Sequence, residues 1–101
     1  MGGYDPALDK AWEAERERSR GMVEKTVELL RGKGLKATGS IEDGDPKSKI
    51  LEVARDLRAD LIVLGSHGRK GLEHFLMGSV SEAVAQHAHC SVEIVRILGK
   101  H

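Results

Sequence analysis

Residues 60–81 read DLIVLGSHGRKGLEHFLMGSVS, and this stretch decides the fold class. It opens with a short apolar run, residues 61–64, that ends at Gly65. Such runs are typical of strands buried on both faces of a parallel sheet. A glycine-rich loop follows, and Gly78 precedes a segment with the apolar spacing of a helix. The stretch therefore predicts a buried strand, a loop and a helix in direct succession.

Helices and strands are predicted to alternate outward from this stretch. Helical apolar spacing marks three segments, which are Pro6 to Gly32, Pro46 to Leu57 and Ser79 to Ala88. Strands are predicted at residues 35–41, weakened by Gly39, and at residues 61–65 and 91–97. This α-β-α-β-α-β order favours the α/β class, with a parallel sheet and helices on both faces.

The predicted helix boundaries coincide with capping residues. Asp5 and Asp45 each precede a proline, which is the arrangement of an N-cap residue followed by proline at the first helical position. Gly32 and Gly34 are suited to end the first helix. We therefore expect the first helix to begin at Pro6.

Composition narrows the range of functions. The chain has 101 residues, 40% apolar and 32% charged, so a single domain over residues 1–101 is expected. Sixteen basic residues balance sixteen acidic ones and aromatics make up 3%, which argues against nucleic-acid binding. No apolar run approaches the roughly 20 residues of a membrane span. One cysteine and no signal-peptide pattern predict a cytoplasmic protein.

The loop between the strand and the last helix has the features of a phosphate site. It follows the carboxyl end of a strand, where open α/β sheets bind their ligands. The start of the last helix offers unpaired N–H groups and the positive end of the helix dipole to an anion. Ser79 and Ser81 add hydroxyl donors, and Arg69 and Lys70 add positive charge.

The glycine spacing distinguishes this loop from two familiar phosphate loops. Neither the Walker A pattern G-x-x-x-x-G-K-[ST] nor the Rossmann pattern G-x-G-x-x-G occurs. The chain instead has Gly65, two residues, Gly68, nine residues, and then Gly78-Ser79. This spacing resembles the nucleotide-binding signature of universal stress proteins, G-x2-G-x9-G-[ST]. The flanking turn, strands and helix resemble that family too, over about residues 35–96.

The resemblance implies a fold and a ligand. The family fold is a five-stranded parallel sheet in the order 3-2-1-4-5, and many members bind ATP. The nucleotide-binding residues that it implies are Gly65, Gly68, Arg69, Gly78, Ser79, Val80 and Ser81, with Mg²⁺ accompanying the ATP. The sequence shows neither the family's V-D-x-S-type motif nor its first β-α-β unit, where the adenine contacts largely lie. We therefore expect a truncated Rossmann-like fold that keeps the phosphate cradle and binds the nucleotide more weakly, in a stress-response or signalling role.

Other chemistry-bearing residues suit simpler roles. His67 fits an exposed loop position better than acid–base chemistry, and no nucleophilic triad is evident, so no enzyme activity is expected. His87, His89 and Cys90 would need a further ligand to hold a metal, and Cys90 is more simply a small apolar residue at a strand start. Two other functions stay open, a dimerising module without nucleotide and a truncated family member without ligand.

The sequence also gives expectations for how the chain assembles. The resemblance implies a homodimer through the last strand, from Val92 to Ile97, whose exposed edge would invite pairing. The strands that the sequence lacks leave two arrangements for the sheet. Residues 35–41 pair with residues 61–64 in a three-stranded sheet, or a second copy supplies strands or its N-terminal helix by domain swapping. The second is favoured, because the strand candidate is weak and the long helix needs an apolar surface.

Overall fold

The computed structural model describes residue 3, residues 5–65 and residues 78–95. The chain divides into two compact units, Met1–Glu42 and Asp43–His101. The elements of the described ranges are α1 (Pro6–Gly32), α2 (Pro46–Asp56), β1 (Leu61–Gly65), α3 (Ser79–His87) and β2 (Ser91–Val95). The three predicted helices are confirmed, as are the strand at β1 and the predicted last strand over Ser91–Val95. Residues 96 and 97 of that predicted strand lie outside the described residues. The prediction of a single domain stays a prediction.

The first unit is dominated by α1, whose ends follow the predicted capping chemistry. The Asp5 carboxylate accepts a hydrogen bond from the Ala7 N–H over 3.0 Å, and Pro6 takes the first position. At the other end Gly34 adopts φ +89°, and the Leu35 N–H donates to the Leu30 carbonyl over 3.1 Å. This is a Schellman motif, which satisfies carbonyls that would otherwise lack partners. Among the described helices, α1 included, none is both long and apolar enough to cross a membrane.

Residues 35–41 do not form the predicted strand. They run without helix or strand structure after α1. The Arg31 guanidinium donates through Nε to the Ala37 carbonyl over 2.9 Å, and Gly39 lies directly against Val23 and Val27 of α1. A strand needs a neighbouring strand for its hydrogen bonds, and no described strand pairs with this segment. Packing against α1 therefore replaces pairing in a sheet.

The second unit begins with a capped helix. The Asp45 carboxylate accepts hydrogen bonds from the Ser48 hydroxyl (2.8 Å) and the Lys47 ammonium (3.2 Å), and caps α2 through the Ser48 N–H. Helix α2 ends in a second Schellman motif, in which the Ala59 N–H donates to the Ala54 carbonyl over 2.9 Å. Arg58 takes the left-handed position, at φ 53°, that glycine usually occupies.

The sheet of this unit consists of two parallel strands in the described chain. The register runs from Leu61 opposite Ser91 to Gly65 opposite Val95. The predicted three-stranded sheet, with residues 35–41 beside β1, is therefore wrong for this structure. The parallel pairing with intervening helices confirms the α/β class.

A small core holds the second unit together. Its buried apolar side chains are Ala54 of α2, Ile62 of β1 and Val84 of α3, the last with no exposed surface. Leu64, Val80 and Val92 pack around them. Both α2 and α3 therefore lie on the face of the sheet to which Ile62 points. The alternate residues of the strands point to the opposite face, where Leu61, Val63 and Val95 are exposed.

The contact between Gly39 and α1 gives a prediction for stability. A Cβ at position 39 would overlap Cγ1 of Val23 and lie 3.0 Å from Cγ2 of Val27. Valine side chains on a helix have little rotamer freedom, so the segment itself must move. Gly39→Ala is expected to destabilise the first unit by about 1–3 kcal/mol.

Gly21→Ala is the matched control, because no atom lies within 4 Å of a Cβ built at position 21 of α1. This variant is expected to stabilise the helix by about 1 kcal/mol. Urea unfolding followed by circular dichroism measures both. Equal effects of the two substitutions would show that residues 35–41 do not pack on α1 as described.

The Asp45 cap gives a pH-dependent prediction. The Ser48 hydroxyl, and after it the Lys47 ammonium, lowers the pKa of the Asp45 carboxyl below its ordinary value of 3.8. Because the folded-state pKa is the lower one, the cap's contribution is present above pH 3.8 and is lost as the pH falls through the folded-state pKa. Asp45→Ala should therefore lower the melting temperature at neutral pH and have a shrinking effect below pH 3.8. Asp60→Ala, which replaces an exposed aspartate outside any described helix, is the control. If Asp45→Ala lowers the melting temperature equally at neutral pH and below pH 3.8, the prediction is wrong.

Candidate phosphate-binding site

The carboxyl end of β1 and the first turn of α3 are joined by a side-chain hydrogen bond. The Ser81 hydroxyl donates to the carbonyl oxygen of Gly65 over 3.1 Å. Ser81 is 5% exposed, and among the described residues it is the buried one with a polar side chain. Buried hydroxyls are stabilised when such a partner is present and are costly without one. The bond therefore fixes the helix start at the end of the strand.

The amino end of α3 has no side-chain cap from the described residues. Gly78 is the N-cap residue, at φ −70° and ψ 163°, and no side-chain hydrogen bond caps the helix. The first intrahelical bond runs from the Glu82 N–H to the Gly78 carbonyl over 2.9 Å. The N–H groups of Ser79, Val80 and Ser81 precede this bond, so the helix provides them with no carbonyl. They carry the positive end of the helix dipole.

One charge at this end opposes an anion. Glu82 lies in the first turn of α3 and is exposed. Its carboxylate stabilises the helix start in the absence of a ligand. It would also repel a phosphate that approached from its side. Glu82 is therefore an unfavourable charge for any anion at this helix end.

Five of the seven predicted site residues lie in the described chain. Gly65 ends β1, Gly78 caps α3, and Ser79, Val80 and Ser81 form the first turn of that helix. The Ser81–Gly65 hydrogen bond brings these two groups together. The remaining two, Gly68 and Arg69, lie outside the described residues, as do Lys70 and His67.

Sequence reasoning gave Ser81 a ligand-facing hydroxyl, and the structure gives that hydroxyl a partner in the protein. Its proton is donated to Gly65, so Ser81 offers a ligand its backbone N–H and not this proton. The spacing could have indicated this. Ser81, Val84 and Ala88 recur at i, i+3 and i+7, which puts Ser81 on the buried face of α3 with the core.

The other candidates from the sequence take structural positions. His89 Nε2 lies 3.1 Å from the Ala59 carbonyl oxygen, which ties the start of β2 to the segment before β1. Cys90 is half-buried and packs against the core, as a small apolar residue would. Within the part of the chain that the structure describes, no group of three His, Cys, Asp or Glu side chains is placed to hold a metal ion.

Comparison with known proteins decides the family. The model of the universal stress protein family matches residues 2–96. The chain belongs to the universal stress protein family. The resemblance inferred from the glycine spacing is therefore confirmed, and it extends along the N-terminal helix as well. Membership accounts for the parallel strands with helices between them.

Individual members of the universal stress protein family support this assignment. Universal stress protein MJ0531 of Methanocaldococcus jannaschii is 37% identical over 81 residues, which cover 80% of this chain and 48% of that protein. Universal stress protein Sll1388 of Synechocystis is 32% identical over 94 residues, which cover 93% of this chain and 61% of that protein. The chain thus spans about half to three-fifths of the length of these relatives.

A solved structure supports the fold of this universal stress protein family member. The hypothetical protein MJ0577 superposes with a TM-score of 0.79 at 28% sequence identity. The match covers 91% of this chain and 64% of that one. The α/β, Rossmann-like fold class is therefore shown.

The Ser81–Gly65 bond gives a prediction for stability. Ser81→Ala removes the donor and leaves the Gly65 carbonyl without this partner, so a loss of about 1–2 kcal/mol is expected. Ser79→Ala, at an exposed position of the same turn, should change stability by less than about 0.5 kcal/mol. Urea unfolding in the absence of nucleotide measures both. Indistinguishable midpoints for the two variants would contradict the structural role of Ser81.

Proposed function

We propose that this chain binds the phosphates of an adenine nucleotide, ATP with its divalent cation, in a stress-response or signalling role. The observation that carries the proposal is the uncapped first turn of α3, held against the carboxyl end of β1 by the Ser81–Gly65 hydrogen bond. Membership of the family and the glycine spacing of residues 65–79 support it. Together they support an anion site at a backbone turn.

Each proposed site residue has a defined task. The N–H groups of Ser79, Val80 and Ser81 donate to phosphate oxygens, because no helical carbonyl engages them. Gly78 keeps the approach free of a side chain, and the exposed Ser79 hydroxyl adds a donor. Gly65, Gly68 and Arg69 complete the proposed cradle from the strand end and the loop. Mg²⁺ would arrive bound to the phosphates, where it neutralises part of their charge.

The proposed role is binding without turnover. The donors of the described turn are backbone N–H groups and a hydroxyl, which position an anion and do not activate water. The proposed site residues bind the phosphates and not the base, so this site by itself should discriminate weakly between ATP and other triphosphates. Each 1.4 kcal/mol or so of base contact that is missing lowers affinity about tenfold. The cytoplasmic location expected from the sequence stays a prediction.

Substitution at the helix cap tests the proposal. Gly78→Val places a branched side chain where the phosphate would approach, so the heat of ATP binding in calorimetry should disappear. Ala85→Val creates the same side chain at an exposed position of α3 away from its amino end and should bind as the parent does. Unchanged titration heats in Gly78→Val would rule out this site. Absence of binding in the parent chain would favour a dimerising module without nucleotide.

We also propose a homodimer through the last strand. In the described sheet β2 pairs with β1 alone, so its other edge presents unpaired N–H and C=O groups. Its residues Ser91–Val95 carry one charge, at Glu93. Light scattering should then report a dimer at high concentration. A monomer under those conditions would refute this mode of assembly.

A further inference from the structure

The first turn of α3 combines the proposed anion site with a carboxylate. Glu82 is the fourth residue of the helix, and its N–H donates to the Gly78 carbonyl over 2.9 Å. Residues three and four positions apart in a helix lie on the same side, and helical side chains lean toward the amino end. The exposed carboxylate of Glu82 therefore lies on the side of Gly78 and Ser79, close to the N–H groups proposed to bind phosphate.

The described charges at this helix end do not favour a free anion. The amino end of a helix is equivalent to about half a positive elementary charge, whereas Glu82 carries a full negative one. Glu82 takes part in none of the ion pairs among the described residues. The Ser81 hydroxyl gives its proton to Gly65 and the Ser79 hydroxyl is uncharged, so neither offsets the carboxylate. From the described residues, a metal-free polyphosphate therefore meets a net negative charge.

A divalent cation removes this conflict of charge. Mg²⁺ is usually bound through one or two carboxylates together with phosphate oxygens of the ligand, and it keeps several waters. The Glu82 carboxylate and the exposed Ser79 hydroxyl are oxygen donors on one side of the turn, which is the donor type that this cation prefers. A cation carried by the phosphates therefore changes the repulsion from Glu82 into an attraction.

We propose that Glu82 makes the site selective for polyphosphates that carry a divalent cation. This role rests on the proposed phosphate site and adds a residue that sets its specificity. Glu82 repels the metal-free anion and attracts the metal complex, directly or through water bound to the cation. Because coupling between two ligands is reciprocal, the polyphosphate and the cation strengthen each other's binding by the same factor.

Calorimetric titration with inorganic triphosphate tests this role, once in a chelating buffer and once with Mg²⁺ in excess. The ratio of the two dissociation constants reports how much the cation strengthens binding. Glu82→Gln removes the charge and keeps the size of the side chain, so it should strengthen metal-free binding about two- to fivefold. Because the attraction to the cation is lost as well, the ratio should fall by at least about threefold.

Two variants serve as controls. Glu82→Asp keeps a carboxylate at this position and should keep most of the ratio. Glu52→Gln makes the same change of net charge at an exposed position of α2, and screening by salt should keep its ratio within about twofold of the parent's. Circular dichroism at the titration temperature separates a change in folding from a change in binding.

Three results would overturn the role of Glu82. An unchanged ratio in Glu82→Gln, with triphosphate still bound, refutes it and leaves the proposed phosphate site standing. An equal fall of the ratio in Glu52→Gln attributes the effect to the net charge of the chain. No binding of triphosphate by the parent chain in either buffer refutes the phosphate site itself, and this role with it.

Discussion

The hydrogen bond from the Ser81 hydroxyl to the Gly65 carbonyl is the constraint on which the functional geometry depends. It spans 3.1 Å and joins two residues that are 16 positions apart in the chain, on either side of the glycine-rich loop. Val84, in the same helix, has no exposed surface and packs in the core with Ile62 and Ala54. The core therefore fixes the direction of α3, and the hydroxyl fixes where that helix begins relative to the strand. An anion site made of backbone N–H groups needs both to be fixed, since such groups bind only in the direction in which they point.

The two faces of the sheet differ in how much of their apolar surface is covered. On one side α2 and α3 bury Ile62 and contact each other. On the other side the apolar residues of β1 are exposed, and the strand edge beyond them has no described partner. The chain spans about half to three-fifths of the length of its relatives, so the full family domain contains more chain than is present here.

Much of the fold could be predicted from local patterns in the sequence. Asp5-Pro6 and Asp45-Pro46 mark the starts of two helices because capping depends on adjacent residues. The run 61–64 predicts β1 because an apolar run of that length suits only a buried strand or part of a helix. The glycine spacing of residues 65–79 by itself indicates the family. These features require no knowledge of distant contacts.

The failures concern contacts that a local pattern does not specify. Residues 35–41 have strand-like composition, but a strand exists only with a neighbour, and α1 is the neighbour that the segment contacts. The residue type and position of Ser81 predict a hydroxyl that faces a phosphate, whereas the burial of that hydroxyl and its bond to Gly65 depend on the packing of α3. Its backbone N–H stays in the proposed site. Helical periodicity within α3 would have shown the buried face. It would not have shown that the Gly65 carbonyl accepts the hydrogen bond from Ser81.

The most direct test of the account is an amide correlation NMR titration of the chain with inorganic triphosphate and with ATP. If the first turn of α3 is the anion site, the amide signals of Ser79, Val80 and Ser81 should shift most, and both ligands should shift the same set. This follows because the phosphates carry the interaction. Shifts confined to other residues, or no saturable shifts with either ligand, would contradict the central claim.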